Sequence, residues 1–484
     1  MDDIYVKLIS NIKDSSLNDL ETIIKAYELA NKLHEGQFRQ SGEPYINHPL
    51  EVAYILSEMN ADSDTICAAL LHDVLEDSDI SKEELSKEFN ETVAELIDGV
   101  TKISKLNFAD NKEANMANTR KIITSITKDV RIIIIKLADR LHNMRTMEHK
   151  EEFKQKENSL ETMEIFVPLA YYIGAYRIKT ELEDLSLKYL KPDMYKKLEK
   201  KKIIIEKESE KCLTEMLETI GILLESHNIP YEIKVRAKNI YGIYKRVTSG
   251  DKLYDIHDLL SLKIMVENIS QCYQALGLIH SKYRPINDKF KDYICNHKTN
   301  MYKSLHTTVF GSDEHLVQTQ IRTFKMDKVA SFGLTAYWDL KNNNAREEMQ
   351  KDLTEKFQFF ESLSEINIMC ADNQEFVRQV KTELFADRIY IYTPKGEIIE
   401  LPKGATPIDL AYKIHTDIGN TMIGVLVNNE NVPVDYKLQN KDIVRIITDE
   451  LSYGPREEWV PLVVTSTAKR RIKEFRNTFN EVSG

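Results

Sequence analysis

A chain of 484 residues has room for about three domains of roughly 150 residues each, and 30% charged with 42% hydrophobic residues is a globular composition. The net charge of −11 repels polyanions at long range, so a nucleic acid or polyphosphate would have to be held by local basic groups or a metal. Five scattered cysteines, Cys67, Cys212, Cys272, Cys295 and Cys370, form no C-x-x-C pair and fit neither a disulfide framework nor a structural zinc site.

The first residues, MDDIYVKLISNIKDSS, carry acids and no basic region leading into a long apolar core, so they do not read as a secretory signal. The apolar stretch from Ile165 to Tyr176 is too short to span a bilayer. A cytoplasmic protein with no membrane contact is the expectation. From Ser16 to about Lys200, apolar residues recur every three or four positions, which predicts an all-α region.

Within it, Ala68 to Ser78 reads AALLHDVLEDS. Ile66, Ala68, Ala69, Leu70 and Leu71 drive the segment into a core, yet it continues into His72, Asp73, Glu76 and Asp77. Read as one helix, Asp73 faces Glu76 and Asp77 one turn on, and like charges at that spacing destabilise a helix unless something offsets them. A cation is the natural offset. On the same helix His72 and Asp73 point about 100° apart, so further ligands must come from elsewhere.

Two segments offer them. Tyr45-Ile46-Asn47-His48-Pro49 places a histidine at a plausible helix start, and RIIIIKLADRLHNM, Arg131 to Met144, leads an isoleucine run into Asp139 and Asn143. Among 12 histidines roughly one His-Asp dipeptide arises by chance. The second in this chain, His257-Asp258, runs into a strand-like stretch, Leu259 to Val266, that contains no acid. His48, His72, Asp73 and Asp139 would make a mixed nitrogen and oxygen set with positions left for water, which leans towards manganese, whereas structural zinc wants cysteines and a closed tetrahedron.

Lys196 to Lys211 is a charge run suited to a solvated helix linking two domains. Beyond Ile229-Pro230 the period changes to alternation: YEIKVRAK, LLSLKIMV, LHTTVFG and LVQTQIRT read as strands interleaved with helices such as Ser270 to Lys282, an α/β block that closes near Trp338. Asn342 to Lys381 is a polar helical connector. From Asp387, two short strands, a helix, then GVLVNN and DIVRIIT predict a small β-grasp-like unit with turns at Pro394-Lys395-Gly396 and Pro402-Lys403-Gly404. Leu451 to Gly484 reads as a basic helix with no visible partner.

FRQSGEPYINHP (from Phe38), HDVLEDS (from His72) and KLADRLHNMRTM (from Lys136) closely resemble the hydrolase domain of the long RelA/SpoT homologues, members of the HD phosphohydrolase superfamily. The α/β block resembles the pyrophosphokinase (synthetase) domain of that family, a nucleotidyltransferase-like fold, and the unit from Asp387 looks like its TGS domain. The resemblance implies an HD domain over 1–195, a synthetase-like domain with its leading linker helix over 196–340, a helical connector over 341–385, a TGS domain over 386–449 and a helical tail over 450–484.

It also implies roles. In the hydrolase region His48, His72, Asp73 and Asp139 would hold manganese, and Arg39, Ser41, Asn143 and Thr146 would hold the nucleotide, with Arg39 packing on the base; Glu76 and Asp77, beside the ligands and not both needed by the metal, are the candidate acid-base pair. Gln40 departs from a usually basic position. In the synthetase-like region Arg236 and Lys238 fall where the family binds ATP phosphates, Asp258 where it holds magnesium, and the stretch from Phe290, with Lys298 and the stacking Tyr302, where it binds the guanine nucleotide.

The departures there bear on activity. The family's E-x-Q-I-R-T strand carries a glutamate that activates the ribose 3′-hydroxyl; here Gln318 stands in its place. Gly242, Lys263, His297, Met301, Ser331 and Tyr337 replace serine, arginine, proline, glycine, glutamate and histidine. Loss of a general base alone costs roughly 10²- to 10⁴-fold. The expectation is a manganese-dependent hydrolase of (p)ppGpp, yielding GDP or GTP and pyrophosphate, with a retired, regulatory synthetase block. Two alternatives stand beside it: a bifunctional synthetase and hydrolase, and a non-enzymatic nucleotide sensor whose TGS unit contacts tRNA, the ribosome or a protein.

Overall fold

Helix follows helix from Asp3 to Leu190, and the first sheet begins only at Tyr231. The computed structural model describes residues 3–13, 19–104, 120, 124, 129–250, 259–295, 302–311, 315–333, 366, 370, 372, 374–376, 379 and 388–483. The chain divides into two compact units, one of Met1–Lys105 with Asp129–Thr354 and one of Leu106–Lys128 with Glu355–Gly484. Most of the expected connector, together with Asp258, His297, Lys298, Met301 and Tyr337, lies outside the described residues.

Two helices that lead into the site start where a polar side chain meets their first free N–H groups. Asp62 accepts from Thr65 N at 2.8 Å to open Ser63–Leu70, and Asp129 accepts from Arg131 N at 2.8 Å to open Val130–Arg145. Ile66, Ala68, Ala69, Leu70 and Leu71 are fully buried, as are Ile133, Ile134, Ile135 and Leu137. Each large aliphatic side chain so buried contributes about 1.5–3 kcal/mol, which holds the two site-bearing segments together. The segment Ala68 to Asp77 is not one helix: Ser63–Leu70 ends, Leu71, His72 and Asp73 form a turn, and Val74–Asp77 restarts as a single helical turn. The angular limit set by one continuous helix therefore does not apply, and His72 and Asp73 can face the same point.

Helix Pro192–Ser226, 35 residues long, contains the charge run and crosses the boundary expected at 195/196. Its later turns bury Cys212, Leu213, Met216, Ile220 and Leu224 against a five-stranded sheet. The strands are β1 (Tyr231–Ala237), β2 (Leu260–Val266), β3 (Lys291–Asp292), β4 (Leu305–Phe310) and β5 (Leu316–Thr323), in the order β1-β2-β5-β4-β3, with β2 and β5 parallel and the other pairs antiparallel. The expected strands and the helix Ile269–Lys282 are all present. Because side chains alternate across a sheet, Val317 and Ile321 face the core while Gln318, Gln320 and Arg322 face the opposite side.

The second unit contains β6 (Arg388–Tyr392) paired with β7 (Ile398–Pro402), helix Pro407–Ile414, and β8 (Met422–Val427) between β9 (Glu430–Asn431) and β10 (Val444–Thr448). The basic helix Ser466–Ser483 does have a partner. Its Ala468 and Ile472 are fully buried in the same core as Trp459, Leu410 and Ala411. Among the described residues, no helix is long and apolar enough to cross a membrane.

Candidate functional site

Three separate segments of the first unit meet at one buried point. His48 opens the helix Asn47–Glu58, His72 and Asp73 sit in the turn after Ser63–Leu70, and Asp139 lies on Val130–Arg145. Ligand atoms of His48, His72 and Asp139 all lie within 4.8 Å of one another, and all three residues are buried. His48 Nε2 is 3.2 Å from Asp139 Oδ1, and His72 Nε2 is 4.0 Å from the same oxygen. Asp73 lies beside them: Oδ1 is 3.3 Å from His72 Nε2 and Oδ2 is 3.7 Å from His48 Nε2.

The chemistry of this donor set fits a divalent cation. His72 Nδ1 donates to the Ala69 carbonyl at 2.8 Å, so its Nε2 carries the lone pair, and that atom is buried with no hydrogen-bond partner. A buried imidazole oriented by a backbone carbonyl with its other nitrogen unmet is the arrangement of a metal-ligating histidine. Burial pushes the His48 imidazolium pKa below its ordinary value, favouring neutral His48 despite Asp139. Burial opposes charge on Asp139, but Lys136, with Nζ 2.6 Å from Oδ2, outweighs it together with the histidines and holds the carboxyl well below the usual range. Asp73, opposed by burial but favoured by His72 and His48, is also lowered. The centre offers two imidazoles and two carboxylates.

The surrounding residues include three that the sequence reading passed over. The Tyr45 hydroxyl donates to Asp73 Oδ2 at 2.9 Å, and its ring stacks on His34 at 4.7 Å between centroids. Burial, then Asp73, raises the Tyr45 pKa, so it remains a donor. Lys136 neutralises Asp139. His142 lies behind His48, with Nδ1 to Nδ1 at 2.7 Å, and burial followed by the nearby His48 and Arg39 pushes it down to about 3. A histidine on an apolar helix face reads as core, so spacing alone gave no signal for it.

Of the residues expected to hold a nucleotide, Arg39 and Asn143 are linked by hydrogen bonds to the cluster. Arg39 and Ser41 lie on a tight loop closed by Arg39 N to Glu43 O at 2.9 Å, with Gly42 at φ +86°, where a side chain would be strained. Arg39 Nη2 donates to Asn143 Oδ1 at 2.7 Å, Nη1 lies 3.3 Å from His142 Nδ1, and the guanidinium sits over the Tyr45 ring. Asn143 Nδ2 in turn donates to Asp139 Oδ1. Thr146 turns its hydroxyl onto the His142 carbonyl at 3.1 Å, capping its own helix. Glu76 and Asp77 are exposed on the single turn after Asp73.

The second expected site is a cleft of about 630 Å³ on the polar face of the sheet. Arg236, Arg246, Lys263, Lys289, Lys291 and Arg322 line it, with Tyr293, Tyr302, His306, Gln318, Gln320 and Ser331, and no acid is among its described lining residues. Tyr302 donates to or accepts from His306 Nε2 at 2.7 Å, and the Arg322 guanidinium lies over its ring at 5.6 Å. Gln318 accepts from Gln320 Nε2 at 2.8 Å. Lys238 is not among the lining residues: it lies against Gly242, where an added Cβ would meet Asn239 Oδ1 at 2.7 Å and Lys238 Cε at 3.2 Å. In the second unit, exposed His415 caps its own helix, with Nδ1 accepting from Asp417 N at 3.2 Å.

Three family models match the chain in order: an HD domain over residues 26–175, a region found in RelA / SpoT proteins over 235–345, and a TGS domain over 389–448. A Myxococcus xanthus protein named GTP pyrophosphokinase is 43% identical over 461 residues, covering 94% of this chain and 60% of that protein. Aquifex aeolicus guanosine-3′,5′-bis(diphosphate) 3′-pyrophosphohydrolase is 42% identical, covering 94% and 64%. The Escherichia coli bifunctional (p)ppGpp synthase/hydrolase SpoT is 39% identical, covering 95% and 65%. The chain thus spans a little under two thirds of the length of these relatives, whose names divide between two opposite reactions.

Proposed function

Because the chain belongs to the long RelA/SpoT homologue family, we propose that its buried centre removes the 3′-pyrophosphate of guanosine tetra- or pentaphosphate, giving GDP or GTP and pyrophosphate. The observation that carries this reading is the convergence of His48, His72, Asp73 and Asp139 from three segments, with a lone pair of His72 left unmet among them. A divalent ion there, manganese in our reading, would polarise a phosphoryl oxygen and ease loss of a proton from water.

The chain's own residues supply positioning and proton transfer. Arg39 has one guanidinium face against Tyr45 and is braced by Asn143, so its other face and remaining N–H groups serve the base and phosphates. Ser41 and Thr146 are assigned the remaining nucleotide contacts on the family resemblance. Glu76 and Asp77, exposed and not needed as ligands, exchange protons with the attacking and leaving groups. Gln40, exposed beside Arg39, weakens phosphate attraction without entering the chemistry.

The basic cleft favours a second, quieter role. Seven cationic side chains counting Arg177, two of them paired with Asp327 just outside the lining, with no acid among the described lining residues suit a polyphosphorylated nucleotide, while Gln318 can neither take the 3′-hydroxyl proton nor supply charge to magnesium. We assign it nucleotide binding without pyrophosphate transfer, and we assign contact with RNA or protein to the TGS unit. The bifunctional alternative is favoured by the names of the M. xanthus and E. coli relatives and is opposed by Gln318. Purified protein with manganese added or chelated, both reactions followed by chromatography, tests all of this. Metal-dependent release of pyrophosphate from the tetraphosphate is expected; its absence overturns the hydrolase reading, and synthesis from ATP and GDP promotes the bifunctional one.

A further inference from the structure

We propose that His142 is a positioning residue that sets the tautomer of His48, and through it the strength of the metal centre. The inference rests on the hydrolase-centre reading above. It follows from which groups can donate. A guanidinium has only N–H donors, and Arg39 Nη1 faces His142 Nδ1 at 3.3 Å. That nitrogen is therefore an acceptor. His48 Nδ1 approaches the same atom at 2.7 Å, so the proton between the two rings belongs to His48 Nδ1. A neutral imidazole has one N–H, and with Nδ1 carrying it the lone pair of His48 falls on Nε2, the atom that faces Asp139 Oδ1 at 3.2 Å and Asp73 Oδ2 at 3.7 Å.

The two ligand histidines are thus oriented by different means. His72 is held by a backbone carbonyl, which no substitution removes; His48 is held by a side chain, which can be replaced. Arg39 belongs to the same chain of bonds, since its second terminal nitrogen holds Asn143 and Asn143 holds Asp139. One guanidinium at the mouth therefore braces two of the ligands from behind, through His142 and through Asn143.

The test uses the full chain and manganese(II) alone, with affinity measured by calorimetry or by the free-ion resonance signal. His142→Phe keeps a buried ring but offers no acceptor, so His48 is free to carry its proton on Nε2. A roughly 10- to 100-fold loss of metal affinity is expected, the scale of losing an outer-shell partner. His142→Asn puts a carbonyl oxygen close to the position of Nδ1 and should bring affinity back to within about threefold of the parent, while the thermal transition in chelator stays close to the parent's in both variants. Unchanged affinity in His142→Phe overturns the proposal. So does an Asn variant as weak as the Phe variant, because packing would then be the whole of the role. If the parent chain itself binds no manganese, the metal-centre reading fails instead.

Discussion

Lys136 Nζ lies 2.6 Å from Asp139 Oδ2 inside the helical unit, a buried ion pair three residues apart on one helix. Removing one member of such a pair leaves an uncompensated charge and costs about 3–5 kcal/mol. Lys136→Met is therefore expected to lower the melting temperature in chelator, and manganese to raise it by more than in the parent, because the ion then replaces the missing positive charge. An equal metal-induced shift in both proteins would show that Lys136 does not balance Asp139.

His72→Ala and Asp73→Ala should abolish manganese binding and pyrophosphate release while leaving the helical circular dichroism intact, since the core around them is aliphatic and extensive. Full turnover in Asp73→Ala would remove that residue from the ligand set.

Glu76→Gln and Asp77→Asn preserve shape and remove proton transfer. Turnover should fall by about 10² or more with substrate binding retained. Both residues are exposed and lie outside the buried ligand cluster, so their loss should leave manganese affinity near the parent value; a variant that loses metal instead is acting as a ligand.

No pyrophosphate transfer from ATP to GDP or GTP is expected, and Gln318→Glu should restore it in part at best, because Ser331 and Tyr337 still depart from the family pattern. Robust synthesis by the parent chain would refute the retired-kinase assignment.

Ile472→Ala should destabilise the TGS-containing unit by about 2–5 kcal/mol, the range for emptying a fully buried aliphatic site. A change under 0.5 kcal/mol would mean the tail helix is dispensable to that core.

Much of this was legible in the residues themselves. Short apolar runs in LVQTQIRT and LLSLKIMV predicted β5 and β2, which lie inside the sheet with most residues of both faces buried, and the isoleucine run before Asp139 predicted a buried helix ending in the site. The break at Leu71 was not legible, since the residues around it are all acceptable in a helix and only tertiary placement of His72 selects the turn. His142 was hidden for a related reason: its role depends on His48, 94 residues away. The tail helix looked unpartnered because its basic residues dominate its composition, while Ala468 and Ile472, one turn apart, carry the packing.

Arg177 answers to two masters. Its Nη2 is paired with Glu58 Oε2 at 2.9 Å, on the helix that His48 opens, and the same side chain lines the basic cleft. An anion settling in that cleft competes with Glu58 for one guanidinium. The pair is half exposed, so it is worth only about 0.2–1 kcal/mol, and whatever factor a cleft ligand imposes on metal binding through it, metal binding imposes on the cleft ligand in turn. The message passed along this route is a modest one, a factor of about five at most, which would make the cleft a trimmer of hydrolysis and not its off-switch.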